Sequence, residues 1–174
     1  MKLKKTLSTN SGMWSIWNYE FYKTIENYDD WSNFFEEDIN IIEQIKNKKF
    51  VPVNINADGV FEFEVKYAEK LNERERKYLL VSSKPYIIEN SGILKVSGIE
   101  FVKNEIKDIN CISLEIPKGT YSVVVHLIDW KAEPDVLNDK GFPTDKALPD
   151  FIIEINSIID MAKIKENFAL KTFA

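Results

Sequence analysis

One cysteine, Cys111, and one histidine, His126, are all this chain has of the two residue types that most often hold transition metals. A lone cysteine excludes an intrachain disulfide and any cysteine-based zinc cluster. A lone histidine excludes a histidine-rich metal site and two-histidine phosphodiesterase chemistry. The six glycines are scattered, so no glycine-rich phosphate loop is present. Positive charge is also in deficit: the net charge of −5 argues against general binding to nucleic acid or to an anionic membrane. No apolar run approaches the ~20 residues of a membrane helix. The first ten residues carry lysines but lack the apolar stretch of roughly 7–15 residues that a signal peptide needs behind them. The expectation is a soluble cytoplasmic protein in a reducing compartment, without cofactor or metal.

Within 174 residues, 44% are apolar and 13% aromatic. That length and composition predict one domain over 1–174 with a substantial core. The dominant periodicity is two. Phe61, Phe63, Val65 and Tyr67 alternate with Glu62, Glu64 and Lys66, after a turn at Asn56-Ala57-Asp58-Gly59. Met13 to Ile25 reads as one or two strands with a change of face near Trp17. Further short strands are predicted at Phe50–Ile55, Tyr78–Ser82, Pro85–Ile88, Ile93–Val96, Ile99–Lys103 and Phe151–Ile155. Residues 69–77 read as a charged loop. Asp29-Asp30 offers an N-cap, and Trp31, Phe34, Phe35, Ile41, Ile42 and Ile45 predict one helix over 31–46. A short C-terminal helix is expected over 157–169, and 130–150 reads as a long irregular loop, a length often associated with function. The fold class is therefore mainly β: a mostly antiparallel β-sandwich of about nine short strands with one packed helix.

Between Ile109 and Asp129 two alternating segments flank Pro117-Lys118-Gly119-Thr120 and read as a hairpin. Its register sets Cys111 opposite His126, with Cβ atoms about 4.5–5.5 Å apart. A cysteine and a histidine so placed could serve as nucleophile and base. No Asp or Asn stands by to orient the imidazole, so the expected role is a structural cross-strand pair. Carboxylate sites stay open in and beside the 130–150 loop, at Asp129, Glu133, Asp135, Asp139, Asp145 and Asp150. They lack the EF-hand spacing, and a solvated loop is the simpler reading.

Charge is distributed unevenly. Residues 20–43 hold eight acids against Lys23 alone, and the remainder of the chain has 20 acids and 22 bases. The acidity of the protein is thus one segment. It suits a solvated helix face, and also a surface that imitates a phosphate backbone and docks on a basic groove. Glu26, Asp29, Asp30, Glu36, Glu37 and Asp38 are the residues expected to meet such a partner, with Trp130, Glu133 and Asp135 of the long loop beside them.

Asp30-Trp31 followed by a helix, the run Ala57-Asp58-Gly59-Val60-Phe61-Glu62-Phe63-Glu64, and Ser113-Leu114-Glu115-Ile116-Pro117-Lys118-Gly119-Thr120-Tyr121 resemble the bacterial competence protein J family. Those proteins are short cytoplasmic inhibitors of a nuclease that acts during DNA uptake. The resemblance spans roughly residues 14–130; this chain adds the 69–77 loop and about 45 residues after Asp129. It implies a non-catalytic inhibitor or immunity-type protein that binds a basic protein, a nuclease or toxin, with no direct nucleic-acid or membrane contact. The other classes kept open are a small-ligand or carbohydrate-binding module using the aromatics around Trp14 and Trp130, and a carboxylate-based hydrolase.

Overall fold

A computed structural model of the chain describes residues 2–105, 107–158, 162 and 164–173. Its elements run β1 (Lys2–Thr9), β2 (Met13–Asn18), α1 (Tyr19–Tyr22), α2 (Tyr28–Phe35), α3 (Asp38–Lys46), β3 (Phe50–Asn54) and β4 (Gly59–Tyr67). Then come α4 (Glu73–Lys77), β5 (Leu79–Ser82), β6 (Tyr86–Asn90), β7 (Ile93–Gly98), β8 (Cys111–Glu115), β9 (Gly119–Ile128) and β10 (Phe151–Ser157). These strands make two sheets. One has the order β1-β4-β10-β9, with β5 and β6 sharing the far edge of β9; the other has the order β3-β2-β7-β8. Neighbours are antiparallel except for the parallel pair β4–β10. The expected mainly β, mostly antiparallel fold is present, with ten strands among the described residues. No helix there is long and apolar enough to cross a membrane.

The sheets face each other through aromatic side chains. Trp14 on β2 meets Phe61 edge-on at 5.1 Å between ring centroids, and Phe63 and Phe151 at 5.7 and 6.4 Å. Phe63 and Phe151 stack at 5.0 Å across the parallel pair. Such contacts add about 0.5–1.5 kcal/mol each beyond the area they bury.

The turn at Pro117 is not a hairpin. β8 pairs with β7 in one sheet, whereas β9 pairs with β10, β5 and β6 in the other. The turn is a corner between sheets, and so is the link from β6 to β7. Asn90 pins both corners, donating to the carbonyls of Ile116 and Pro117 at 2.9 and 3.0 Å, while Tyr121 Oη donates to the Pro117 carbonyl at 2.7 Å. The Cys111–His126 pairing falls with the hairpin: Cys111 lies opposite Ser97, and His126 opposite Ile152 and Ser82.

Six local readings also change. Residues Met13 to Asn18 are all buried, because helices cover the outer side of β2. The double burial mimicked a change of face, and Tyr19 to Tyr22 is helical rather than extended. The helix expected over 31–46 is two helices. At 3.6 residues per turn an unbroken helix would set Asp38 in the middle of the apolar stripe of Trp31, Phe34, Phe35, Ile41 and Ile45. Glu37 instead adopts an extended conformation and Asp38 opens α3 in solvent. The cap of α2 is Asn27, whose side chain accepts from the Asp30 N–H, not Asp29 or Asp30. The charged 69–77 segment holds α4, started by an Asn72–Glu75 capping box, and Ile99–Phe101 is a 3₁₀ turn, not a strand. Of the C-terminal helix expected over 157–169, Ser157 ends β10 and residues 164–169 are irregular. Residues 159–161 and 163 lie outside the described residues.

The inter-sheet aromatic contact generates a stability prediction. Trp14→Ala is expected to lower the unfolding free energy by about 3–5 kcal/mol, read as a shifted denaturant midpoint with unchanged slope. A loss under about 1 kcal/mol would show that Trp14 does not join the two sheets.

Candidate functional site

Each sheet has an outer face, and the two are covered differently. On the β4–β10–β9 face, residues 69–77 and the 130–150 loop lie over a layer that is polar yet buried: Glu64, Lys66, Glu75, His126 and Glu154. Lys66 forms ion pairs with Glu75 and with Glu64 at 3.6 Å. Glu154 accepts from the Leu71 N–H at 2.7 Å and from Lys70 at 3.2 Å, and lies 3.7 Å from His126 Nε2. His126 Nδ1 is 2.8 Å from Ser82 Oγ. Ser82, His126 and Glu154 are the residue types of a hydrolytic triad. The Glu154–His126 separation exceeds hydrogen-bond length, however. Neither Ser82 nor His126 lines the clefts of about 890, 520, 340 and 240 Å³. Burial holds the His126 imidazole below its ordinary pKa, opposed by the nearby Glu154. Among the described residues no group of three or more His, Cys, Asp or Glu is arranged to hold a metal ion.

The other outer face, on β3–β2–β7–β8, carries α1, α2 and α3. Phe35 seats α2 against Phe50 of β3 at 5.3 Å, and Trp31 Nε1 donates to the Ile99 carbonyl at 2.9 Å. Tyr22 Oη donates to Gln44 Oε1 at 3.1 Å and ties α1 to α3. With the apolar stripes turned inward, the acids turn outward. Glu26, Asp29, Glu36, Glu37, Asp38 and Glu43 are exposed, and Asp30 is half-buried, accepting from the Glu26 N–H at 3.0 Å. None of these seven forms an ion pair among the described residues. Within the acidic segment only Glu20 is neutralised, by Lys23 at 2.8 Å. The carboxylates gather at the two ends of α2, which are about 12 Å apart at 1.5 Å per residue.

Between these carboxylates lie apolar side chains that sequence patterning did not single out. Tyr28 is 65% exposed and stacks on Trp31 with ring centroids 5.8 Å apart; Ile39, beside Asp38, is 67% exposed. At i, i+3 and i+7 Tyr28 shares the stripe of Trp31 and Phe35, so helical spacing would have placed it in the core rather than in solvent.

The long-loop residues behave differently. Trp130 donates to Asp150 Oδ1 at 2.7 Å and packs against the cluster of Leu71, Ile128, Leu148 and Ile152. Glu133 is held by the Arg74 guanidinium at 2.6 and 2.7 Å, which keeps its carboxyl below the usual carboxylate range. Asp135 is exposed, with a left-handed φ of 62°. No hydrogen bond or ion pair among the described residues joins these three to the acidic helices, and none of the four clefts is lined by both groups. Trp14 is fully buried between the sheets and is not a surface aromatic.

No family model and no curated protein matches this chain. Two solved structures resemble it. The structure titled "Crocagin biosynthetic gene J" is 18% identical, with a TM-score of 0.58 over 90% of this chain and 97% of that one. ComJ from Bacillus subtilis, titled an inhibitor of the DNA-degrading activity of NucA, is 13% identical, with a TM-score of 0.46 over 90% of this chain and 96% of its own. The first likeness shows that this two-sheet arrangement is shared with a protein of known structure.

The buried layer on the first face makes stability depend on pH. The unfolded His126 titrates near ~6.5, while the folded group, with its pKa depressed, refuses the proton. Stability is therefore full above that value and falls as the pH drops below it toward the folded pKa. The groups facing His126 are Glu154 on β10, Glu75 on α4, Lys66 on β4, Lys70 before α4 and Ser82 on β5. The thermal midpoint is expected to fall between pH 7.5 and 5.5, and less steeply in His126→Gln. Identical slopes in the two proteins would remove His126 as the cause.

Proposed function

We propose that this protein is an inhibitor or immunity-type protein that docks on a basic partner in the cytoplasm, a nuclease or toxin, through the outer surface of α2 and α3. The observation that supports this reading is the set of exposed carboxylates without cationic partners among the described residues, interleaved with Tyr28 and Ile39. Charge of one sign speeds encounter with a cationic groove, up to ~10⁸–10⁹ M⁻¹s⁻¹ at low salt. It does not by itself hold a complex, because salt screens exposed charges within a Debye length of about 8–10 Å. Residence comes from apolar anchors, and an exposed tyrosine seated on a tryptophan is the kind of side chain that dominates interfaces. Glu26, Asp29 and Asp30 would meet the partner beside Tyr28, and Glu36, Glu37 and Asp38 beside Ile39. Arg74 already neutralises Glu133, so the 130–150 loop contributes Asp135 and Trp130 only at the margin. The resemblance of 30–31, 57–64 and 113–121 to the competence protein J family points toward the same class of partner.

DNA degradation by a purified nuclease with a cationic substrate groove tests the reading. The triple reversal Glu36→Lys, Glu37→Lys, Asp38→Lys is expected to weaken inhibition by at least about tenfold at low salt, and by less as salt is added. Tyr28→Ala is expected to speed dissociation at least about tenfold with little change in association rate. Undiminished inhibition by the triple variant would defeat the proposed docking mode.

A further inference from the structure

The outer face beneath α1 holds a second kind of unbalanced charge. Trp17, Lys95 and Ser113 form one cross-strand row over β2, β7 and β8. Lys95 of this row lines a cleft of about 890 Å³, together with Tyr19, Phe101 and Asn104. That volume falls in the range of small-molecule sites, roughly 300–1,000 Å³. The Lys95 side chain lines it although the residue is only 9% exposed.

Burying an ammonium is costly unless a counter-charge accompanies it. Two lysines are buried among the described residues, and they differ in this respect. Lys66 has Glu64 and Glu75. Lys95 forms no ion pair there. Its Nζ donates to Ser113 Oγ at 3.1 Å, lies 3.9 Å from Cys111 Sγ, a weak acceptor, and sits 5.0 Å from the centre of the Tyr19 ring. An ammonium has three donors, and here one strong acceptor meets them. Lys103 and Lys107, both exposed, line the same cleft and are also without ion pairs among the described residues.

We infer that this cleft binds a small molecule bearing an anionic group, phosphate or carboxylate, with Lys95 as its counter-ion. Lys103 and Lys107 draw the anion inward. Glu26 and Glu105 also line the cleft, so its described lining holds two carboxylates against three lysines, of which Lys95 is the buried one. The body of the ligand lies along the Tyr19 and Phe101 rings. Asn104 accepts from Tyr19 Oη at 3.5 Å through its oxygen, and its amide N–H groups, with the Asn110 side chain, have no hydrogen-bond partner among the described residues and can face the ligand. The inference does not rest on the partner-docking reading, which uses the outer side of α2 and α3 and shares only Glu26 with this cleft.

The test is a titration of the ¹⁵N-labelled protein, followed by NMR, with inorganic phosphate, adenosine monophosphate and benzoate in turn. Saturable shifts confined to Tyr19, Lys95, Asn104, Asn110 and their neighbours are expected with at least one probe. Response to the phosphates or to benzoate decides which anion the site takes. Lys95→Met is expected to weaken binding at least tenfold while leaving the thermal midpoint equal or higher, since a buried unpaired charge is removed. If that variant does not fold, the pair Lys103→Ala and Lys107→Ala decides by weakening binding or leaving it unchanged. No saturable shift with any probe, or undiminished affinity in the folded variant, overturns the inference.

Discussion

The packing of Trp14 against Phe61, Phe63 and Phe151 is the contact on which the remaining structure depends. It holds a four-stranded sheet face to face with a six-stranded one and so defines two outer faces. Asn90 enforces the same arrangement at the corners, because its amide ties the β6–β7 and β8–β9 crossings together. The turn residues at these corners act locally, whereas the choice of sheet for each strand is made by partners far away in the chain.

The two outer faces resolve their charges in opposite ways. Over β4, β10 and β9 the buried ions have partners: Lys66 has Glu64 and Glu75, and Glu154 has the exposed Lys70 and the Leu71 N–H. Over β2 and β7 the compensation is incomplete. Among the described residues, carboxylates on α2 and α3 face solvent without cations, and Lys95 lies buried without a carboxylate. Buried charge without a partner costs free energy that a purely structural design would avoid. Both imbalances lie on the helix-covered side, and Glu26 borders each of them.

Much of this was legible in the chain. The alternation in β4, β8 and β9 reports which residues face the core, and the acid count of residues 20–43 locates the charge. What periodicity could not report was which sheet each strand joins. The turn chemistry of Pro117 to Thr120 suits a hairpin and a corner equally, and only the hairpin makes neighbours of Cys111 and His126. The break before Asp38 and the Asn72–Glu75 capping box were readable in principle: the first from the cost of placing a carboxylate on an apolar stripe, the second from its spacing. The exposure of Tyr28 and the isolation of Lys95 were not, because both depend on how α1 and α2 settle on a distant sheet.

The central claim is that α2 and α3 are the docking surface. Amide hydrogen exchange of the protein, free and saturated with a cationic nuclease, tests it most directly. The account predicts slowed exchange concentrated in residues 26–43. Protection confined to the 130–150 loop, or absent from 26–43, would contradict it.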